Sequence, residues 1–216
     1  MKTKFTLFLR LAGSVLMIAL LSGCALTEAK IPLAYQPQKS GHLTGAENVK
    51  VTVDLIDQRD SKDAVGHKVN TYGMEMAAIV ATNDVAEVVK HAIEIELVNR
   101  GFNLTTNDAI HVEITLHKFK NEFKTGFWAG DAVAEITINI LIRNTDGHIA
   151  FAKLFSGQGK VPNIQLASGE NARVALDNAL ENVMAQLFED TSFTDTLVNL
   201  KKTPAPPATA ASPVSN

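Results

Sequence analysis

Residues 132–143 read AVAEITINILIR, the most regular alternation of apolar and polar residues in the chain. The even-numbered positions are all Ala or Ile, whereas the odd-numbered ones include Glu135, Thr137, Asn139 and Arg143. Because successive side chains of a β-strand point to opposite faces, this pattern predicts a strand with one covered face and one face in water. Strands that alternate so cleanly are typical of antiparallel sheets.

The flanking sequence supplies further strands on both sides of this one. Residues 144–147 form an Asn-Thr-Asp-Gly hairpin turn, and residues 150–156 return as a strand. Upstream, residues 49–55 and 110–117 alternate in the same way, and residues 65–69 and 74–81 predict a hairpin through an Asn-Thr-Tyr-Gly turn.

Two amphipathic helices complete the predicted domain. The first follows the cap signal at residues 82–84 and ends before Gly101, while the second begins at Ser168 or Gly169 and carries apolar residues at helical spacing to Leu187. Glu96, beside the apolar stripe of the first helix, is expected at an exposed edge. We therefore predict an α+β fold over residues 47–200, a two-layer sandwich of one antiparallel sheet with two amphipathic helices on one face.

The N-terminus has the pattern of a lipoprotein signal. Residues 1–23 form a basic start, an apolar stretch too short to span a bilayer, and the small residues of a processing site. Leu21, Ser22 and Gly23 precede Cys24, the only cysteine, and together they read as a lipobox with Cys24 as the lipidated first residue of the mature protein. Several acyl chains give stable membrane anchoring. The alternative is an ordinary secreted protein.

The residues that follow Cys24 suggest a location. Ala25 occupies the position where an Asp retains lipoproteins at the inner membrane in many Gram-negative bacteria, so we expect the periplasmic face of the outer membrane. Residues 24–46 are expected to form a tether with a span of roughly 25 Å, from which the domain hangs. The alternative for residues 31–35 is that they pack on the domain. Residues 201–216 are rich in Pro, Ala and Ser and are expected to be a disordered tail.

Residue patterns for catalysis are missing from the sequence. It contains no Gly-x-Ser-x-Gly motif, the sole cysteine is assigned to lipidation, and residues 157–160, Gly-Gln-Gly-Lys, are too short for a phosphate loop and read as a strand end or turn. His111, Glu113 and His117 share a strand face, but His111 and His117 would lie about 20 Å apart, too far to share a metal ion. We expect no enzyme activity, no metal and no cofactor. The net charge of −3 gives no reason to expect nucleic-acid binding.

Two surfaces are candidates for binding. The first is the solvated sheet face, which is expected to bind an envelope protein or glycan, with a plain solvated surface as the alternative. Its residues are His111, Glu113, Thr115, Glu135, Thr137, Asn139 and Arg143. The second is an aromatic loop, either a core plug or an interaction or membrane-contacting patch, that contains Phe119, Phe123, Phe127 and Trp128.

Three short blocks carry a family resemblance through their order and spacing. These blocks are Asp57-Gln58-Arg59, Arg100-Gly101-Phe102 and Asp190-Thr191-Ser192. In them the chain resembles the YajG-like lipoproteins of Gram-negative bacteria. The resemblance implies an outer-membrane lipoprotein and no known reaction. Each block also has a structural interpretation as an ion pair or a helix cap. The expected function is a non-enzymatic, lipid-anchored binding protein. The alternatives are an accessory subunit of a machine for lipid or lipopolysaccharide export and, third, an enzyme acting on peptidoglycan or another glycan.

Overall fold

The computed structural model describes residues 26–37, 41–107, 109–126, 128–144 and 146–200. The expected signal peptide, Cys24 and the expected tail lie outside these residues. The elements in chain order are β1 (Ala29–Ile31), a 3₁₀ turn (Ala46–Asn48), β2 (Lys50–Asp57), β3 (Gly66–Val69), β4 (Glu75–Ala81), α1 (Val85–Asn99), β5 (Asn103–Leu104), β6 (Ile110–Lys124), β7 (Gly130–Arg143), β8 (Ile149–Ile164), α2 (Gly169–Glu189) and α3 (Thr191–Leu200).

The main sheet has five strands in the order β5-β2-β6-β7-β8. The long strands β6, β7 and β8 are antiparallel, as the alternation of residues 132–143 predicts. β2, however, lies parallel to both β6 and β5, so the sheet is mixed. The α+β class is confirmed. The prediction of an entirely antiparallel sheet is wrong for β2, which runs parallel to its two neighbours. Alternation reports which face of a strand is covered, whereas the crossover through α1 decides the direction in which the next strand runs.

A second sheet of three strands, in the order β1-β4-β3, continues from the first. The Asn121 backbone N–H, on β6, donates a hydrogen bond of 2.7 Å to the Val65 carbonyl, just before β3. At the other side of this sheet, β1 packs on the start of α2. Ala29 lies so close to Gly169 that a side chain at position 169 would not fit. The two sheets therefore curl around α2.

The leader before β2 is part of the folded body. Ile31 and Leu33 are buried, and Leu33 exchanges two hydrogen bonds with the Asn83 side chain, at 3.0 and 2.8 Å. The Tyr35 hydroxyl donates to Glu96 Oε1 at 2.5 Å. Of the two alternatives for residues 31–35, the structure shows packing on the domain. Glu96 is 2% exposed and also pairs with Arg100, so its expected place at an exposed edge is wrong.

The helices cover one face of the five-stranded sheet. The even-numbered residues of β7 from Ala132 to Ile142 are all fully buried on that face, as predicted. α1 packs on β2, and α2 packs on β7 and β8. Gly157 and Gly159 lie within β8 rather than at a strand end or turn, because the backbone of α2 approaches them too closely for a side chain.

Candidate binding site

The open face of the main sheet carries all seven residues predicted to form a binding surface. On β6 and β7, His111 pairs with Arg143 and Thr115 pairs with Asn139, so these side chains form neighbouring rows. Glu113 accepts a hydrogen bond of 2.7 Å from Arg143 Nε, and Glu135 accepts one of 2.7 Å from Lys118 Nζ. Thr137 lies 3.3 Å from Ser156 on β8. Much of this surface is therefore a network of mutually satisfied polar groups.

A β-bulge divides this face into two halves. The pairing between β6 and β7 shifts between Leu116 and Lys118, and His117 is the extra residue. Beyond the bulge the alternation of β6 is reversed: Lys118, Lys120 and Glu122 join the open face, while Phe119 and Asn121 turn inward. The apolar spacing in the sequence, two residues up to Leu116 and then three to Phe119, is the signal that could have revealed this reversal.

A cleft of about 610 Å³ lies where the two sheets meet. Its floor is the second half of the open face, and its walls are the loop after β2, the start of β3 and the start of β4. The lining residues are Arg59, Asp60, Ser61, Ala64, Gly66, His67, Glu75, His117, Lys118, Phe119, Lys120, Glu122 and Thr137. Of the seven residues predicted on the solvated sheet face, Thr137 alone is among these.

Arg59 is the most unusual residue of the cleft lining, because it is charged and only 8% exposed. Asp57 holds its guanidinium from one side, with Nε to Oδ1 at 3.0 Å and Nη2 to Oδ2 at 2.8 Å. This contact lowers the pKa of Asp57 below its ordinary value. Arg59 Nη1 is buried and has no hydrogen-bond partner in the part of the chain that the structure describes. The edge of the guanidinium that faces away from Asp57 therefore keeps unused donors.

Four other ionisable groups of the cleft lie in two close pairs. Lys120 Nζ lies 2.9 Å from Glu122 Oε1, and this hydrogen bond lowers the pKa of Glu122. His67 Nδ1 lies 3.8 Å from Glu75 Oε2 at the opposite wall. The cleft thus offers both hydrogen-bond donors and carboxylate acceptors around the Arg59 guanidinium. Of the residues that line the cleft, only Thr137 and Phe119 belong to the two surfaces predicted from the sequence, although Arg59 belongs to a block that carries the family resemblance.

The predicted aromatic loop is divided between core and surface. Phe119 is buried and Phe123 packs against the core, as the core-plug alternative predicts. Trp128 is 86% exposed, as a surface patch requires. Phe127 lies outside the described residues, as do Leu21, Ser22, Gly23 and Cys24.

Comparison with known proteins gives the family. The sequence matches the family model described as "Uncharacterized lipoprotein" over residues 37–197. This protein belongs to that lipoprotein family. No curated protein matches the lipoprotein's sequence.

Solved structures similar to the lipoprotein share little sequence with it. A DUF330-family protein from Xanthomonas campestris is 11% identical, with a TM-score of 0.51 over 82% of this chain and 98% of that one. A minor lipoprotein from Acinetobacter baumannii is 11% identical, with a TM-score of 0.45 over 71% of this chain and 95% of that one. A putative neuraminyllactose-binding hemagglutinin homolog from Helicobacter pylori is 6% identical, with a TM-score of 0.49 over 80% and 99%. The first shows a common fold, and the scores of the other two are too low to support an argument.

The blocks that carry the resemblance have clear structural roles in the lipoprotein. Arg59 pairs with Asp57 at the end of β2, and Gly101 ends α1 with a positive φ of 95°. Asp190 accepts hydrogen bonds from the backbone N–H groups of Ser192 and Phe193, which caps α3. Only Arg59 also borders a cleft.

Metal ligands are not clustered in the lipoprotein: across the described residues, no three His, Cys, Asp or Glu side chains are grouped so that they could hold an ion. His111 Nδ1 instead lies 3.7 Å from Asp54 Oδ2, at the end of the open face away from the cleft. Within the same residues, no helix combines the length and the apolar character needed to cross a membrane.

Proposed function

We propose that this lipoprotein is held at the periplasmic face of the outer membrane by lipid on Cys24, and that it binds an envelope component without catalysing a reaction. Membership of a lipoprotein family supports the lipid anchor, and the sequence Leu21-Ser22-Gly23-Cys24 supports the site of attachment. Ala25 in place of an Asp favours the outer membrane. The three blocks around Arg59, Gly101 and Asp190 favour the YajG-like branch of such proteins.

The observation that carries the binding function is Arg59, a buried arginine that lines the cleft and whose Nη1 has no hydrogen-bond partner among the described residues. Guanidinium groups bind carboxylates and phosphates through two parallel hydrogen bonds, and a buried donor left without a partner costs about 1–3 kcal/mol. A ligand with an anionic group would satisfy Nη1, and Asp60 and Glu75, which also line the cleft, can accept hydrogen bonds from hydroxyl groups. The ligand class that this cleft fits is a hydroxyl-rich envelope glycan that bears a carboxylate or phosphate.

A non-catalytic role is supported by the chemistry of one cleft acid, Glu122. A glycoside hydrolase needs a carboxylic acid whose pKa is raised, so that it can protonate the leaving group. Lys120 instead lowers the pKa of Glu122. This residue is suited to holding a charge rather than to donating a proton.

Site-specific photocrosslinking in living cells tests the ligand site. A benzophenone amino acid replaces Thr137, which lines the cleft, and in a separate strain it replaces His91, which is exposed on α1. We expect a crosslinked species at position 137 and none at position 91. Arg59→Lys, which keeps the charge but removes the forked edge, should abolish the species, whereas the matched change Arg143→Lys on the same sheet face should retain it.

The outcomes separate the two parts of the proposal. Absence of any crosslinked species at position 137 in folded, membrane-associated protein would contradict ligand binding in the cleft. Membrane fractionation of Cys24→Ser tests the anchor independently, because this variant should leave the outer-membrane fraction. A variant that sediments with the outer membrane as before would rule out lipidation of Cys24 as the means of attachment.

The alternative of an accessory subunit in a transport or assembly machine is favoured by a different observation. The edge strand β8 exposes Ile149 and Leu154 beside the open face, and edge strands with exposed apolar residues are suited to protein partners. The same crosslinker at Leu154 distinguishes this role, because it should capture a protein rather than a glycan.

A further inference from the structure

Four exposed apolar side chains belong to segments that meet at one end of the molecule. Tyr72 and Met74 lie at the turn between β3 and β4, Trp128 lies in the loop between β6 and β7, and Leu26 lies at the start of the described chain. Tyr72 and Trp128 are 85% and 86% exposed. We call these four residues the apolar tip.

The two loops of the apolar tip are in contact. A Cβ atom built on Gly73 would lie 3.4 Å from Thr125 Oγ1, which places the β3–β4 turn against the end of β6. Tyr72 and Met74 are the neighbours of Gly73, and Trp128 follows Thr125 by three residues. The tip is therefore one surface formed by two adjacent hairpin ends.

The chain that leads from Cys24 enters the fold at this same end. Lys68 Nζ, close to the β3–β4 turn, donates a hydrogen bond of 2.8 Å to the Thr27 carbonyl. β1 runs parallel to β4 with Ala29 beside Ile79, so Thr27 and Glu28 lie toward the beginning of β4. Since an extended residue spans at most about 3.6 Å, Cys24 lies within about 11 Å of Thr27.

We propose that the apolar tip rests on the bilayer that holds the lipid of Cys24, so that the protein has one fixed orientation at the membrane. The inference depends on the proposed lipidation of Cys24. Trp and Tyr side chains favour the membrane–water interface, because one part of each is apolar and the other forms hydrogen bonds. With the chain fixed from Thr27 onward, the three residue steps back to Cys24 are too short for the body to hang away from the membrane. Anchoring therefore keeps the tip at a high effective concentration there.

This orientation has a consequence for the cleft. Glu75, the residue after Met74, lines the cleft wall. The cleft therefore lies directly behind the apolar tip, and a ligand in it is held close to the bilayer surface.

The chain contains one cysteine and one tryptophan, and this permits a direct test. The mature chain from Cys24 to Asn216, which includes every element of the described fold, is coupled through the Cys24 thiol to a maleimide lipid in phosphatidylethanolamine–phosphatidylglycerol vesicles. This coupling supplies the anchor whether or not cells lipidate Cys24. We expect Trp128 emission to shift to shorter wavelength and to be quenched by lipids brominated at shallow acyl positions.

Two matched variants complete the experiment. Tyr72→Ser combined with Met74→Ser should reduce the quenching of Trp128 while leaving the thermal unfolding midpoint unchanged, because both residues are exposed. Trp128→Phe combined with His91→Trp moves the probe to α1, where emission should not be quenched. The inference is overturned if coupled Trp128 stays unquenched. That result is also expected if the tip is a contact surface for a protein partner rather than for lipid. Equal quenching of both probes overturns it as well. None of these results depends on cellular lipidation or on crosslinking at Thr137, so failure here is separate from failure of the proposed function.

Discussion

Four glycines in the described part of the chain have the left-handed backbone that L-amino acids rarely adopt, and two of them, Gly101 and Gly147, differ sharply in their surroundings. Gly101 ends α1 at a φ of 95°, and a Cβ atom built on it would lie 2.3 Å from His42 Nε2. Gly147, in the β7–β8 turn, has a φ of 84° with open space around it. The pair therefore separates the cost of backbone strain from the cost of a steric clash.

We expect Gly101→Ala to destabilise the protein more than Gly147→Ala. The left-handed conformation alone costs an L-residue about 1–2 kcal/mol, which both variants incur. In Gly101→Ala the new methyl group must also displace the His42 imidazole ring. Urea unfolding measures both changes in the free energy of unfolding, and equal losses in the two variants would contradict the clash.

A second residue, Asp190, links α3 and β8 through one carboxylate. It caps α3, receives a hydrogen bond from the Ser192 hydroxyl and pairs with Lys153 on β8. The Lys153 and Ser192 contacts lower the pKa of Asp190 from 3.8 to about 2. Because the pKa is lower in the folded state, the contribution of this carboxylate to stability is complete above pH 4 and is lost as the pH falls toward 2.

Asp190→Asn should therefore reduce the pH dependence of stability between pH 4 and pH 2. The amide retains an oxygen that can cap α3, so the loss at pH 7 should be smaller than in Asp190→Ala, which removes the cap and costs about 0.5–2 kcal/mol. Urea unfolding across this pH range measures both variants against the unmodified chain. An Asp190→Asn protein with the original pH dependence would show that the Lys153 contact contributes nothing.

At the scale of elements, the packing of α2 on β8 depends on two positions without side chains. A Cβ atom on Gly159 would lie 2.0 Å from the Ala175 carbonyl oxygen, and one on Gly157 would lie 2.5 Å from the Ala179 carbonyl oxygen. The helix also presents alanines, Ala172, Ala175 and Ala179, all fully buried. Small residues on both elements let the helix backbone approach the strand backbone.

Gly159→Ala should separate α2 from the sheet and destabilise the fold by about 1–3 kcal/mol or more, the range for overpacking a dense core. Ser156→Ala, on the open face of the same strand, is the matched control and should cost much less. Thermal and urea unfolding compare the two. A Gly159→Ala protein as stable as the control would mean that α2 can move away freely.

Elements with a strong period could be predicted from the sequence, and those fixed by distant contacts could not. The alternation of β7 and the apolar stripes of α1 and α2 predict their faces because burial itself sets those patterns. β8 extends to Ile164, well past the predicted end at Ser156. Glycine has a low strand propensity, so Gly157 and Gly159 conceal this part of the strand, where the close approach of α2 requires them. The direction of β2 depends on the crossover through α1, which leaves no local trace.

The same distinction holds for the candidate site. The seven predicted residues lie on one face, as their period implies. The cleft was missed because it depends on the bulge at His117 and on the position of β3 beside Asn121. Arg59 became a candidate only through its burial, and a buried arginine beside an aspartate has no distinctive sequence pattern.

At the scale of the whole molecule, the leader decides where the folded body begins. β1 adds three residues to the edge of β4, and Ile31 and Leu33 join the hydrophobic core. Tyr35 contacts Glu96 on α1. Arg100, which follows the last residue of that helix, lies over the Phe188 ring of α2 at 4.2 Å. The segment expected to be a tether thus closes one side of the core.

We expect residues 26–200 to form the smallest stable fold, and a chain that begins at residue 47 to be strongly destabilised. Burial of a side chain such as Ile31 or Leu33 contributes about 1.5–3 kcal/mol, so their joint loss removes a large share of the 5–15 kcal/mol typical of a domain. Denaturant unfolding of the two chains measures the difference. Ile31→Ser combined with Leu33→Ser in the longer chain should reproduce much of the loss, whereas Pro32→Ser, at an exposed position between them, should not. If the chain from residue 47 unfolds at the same denaturant concentration as the longer one, the leader lies on the body without stabilising it, and the short tether that orients the apolar tip loses its basis.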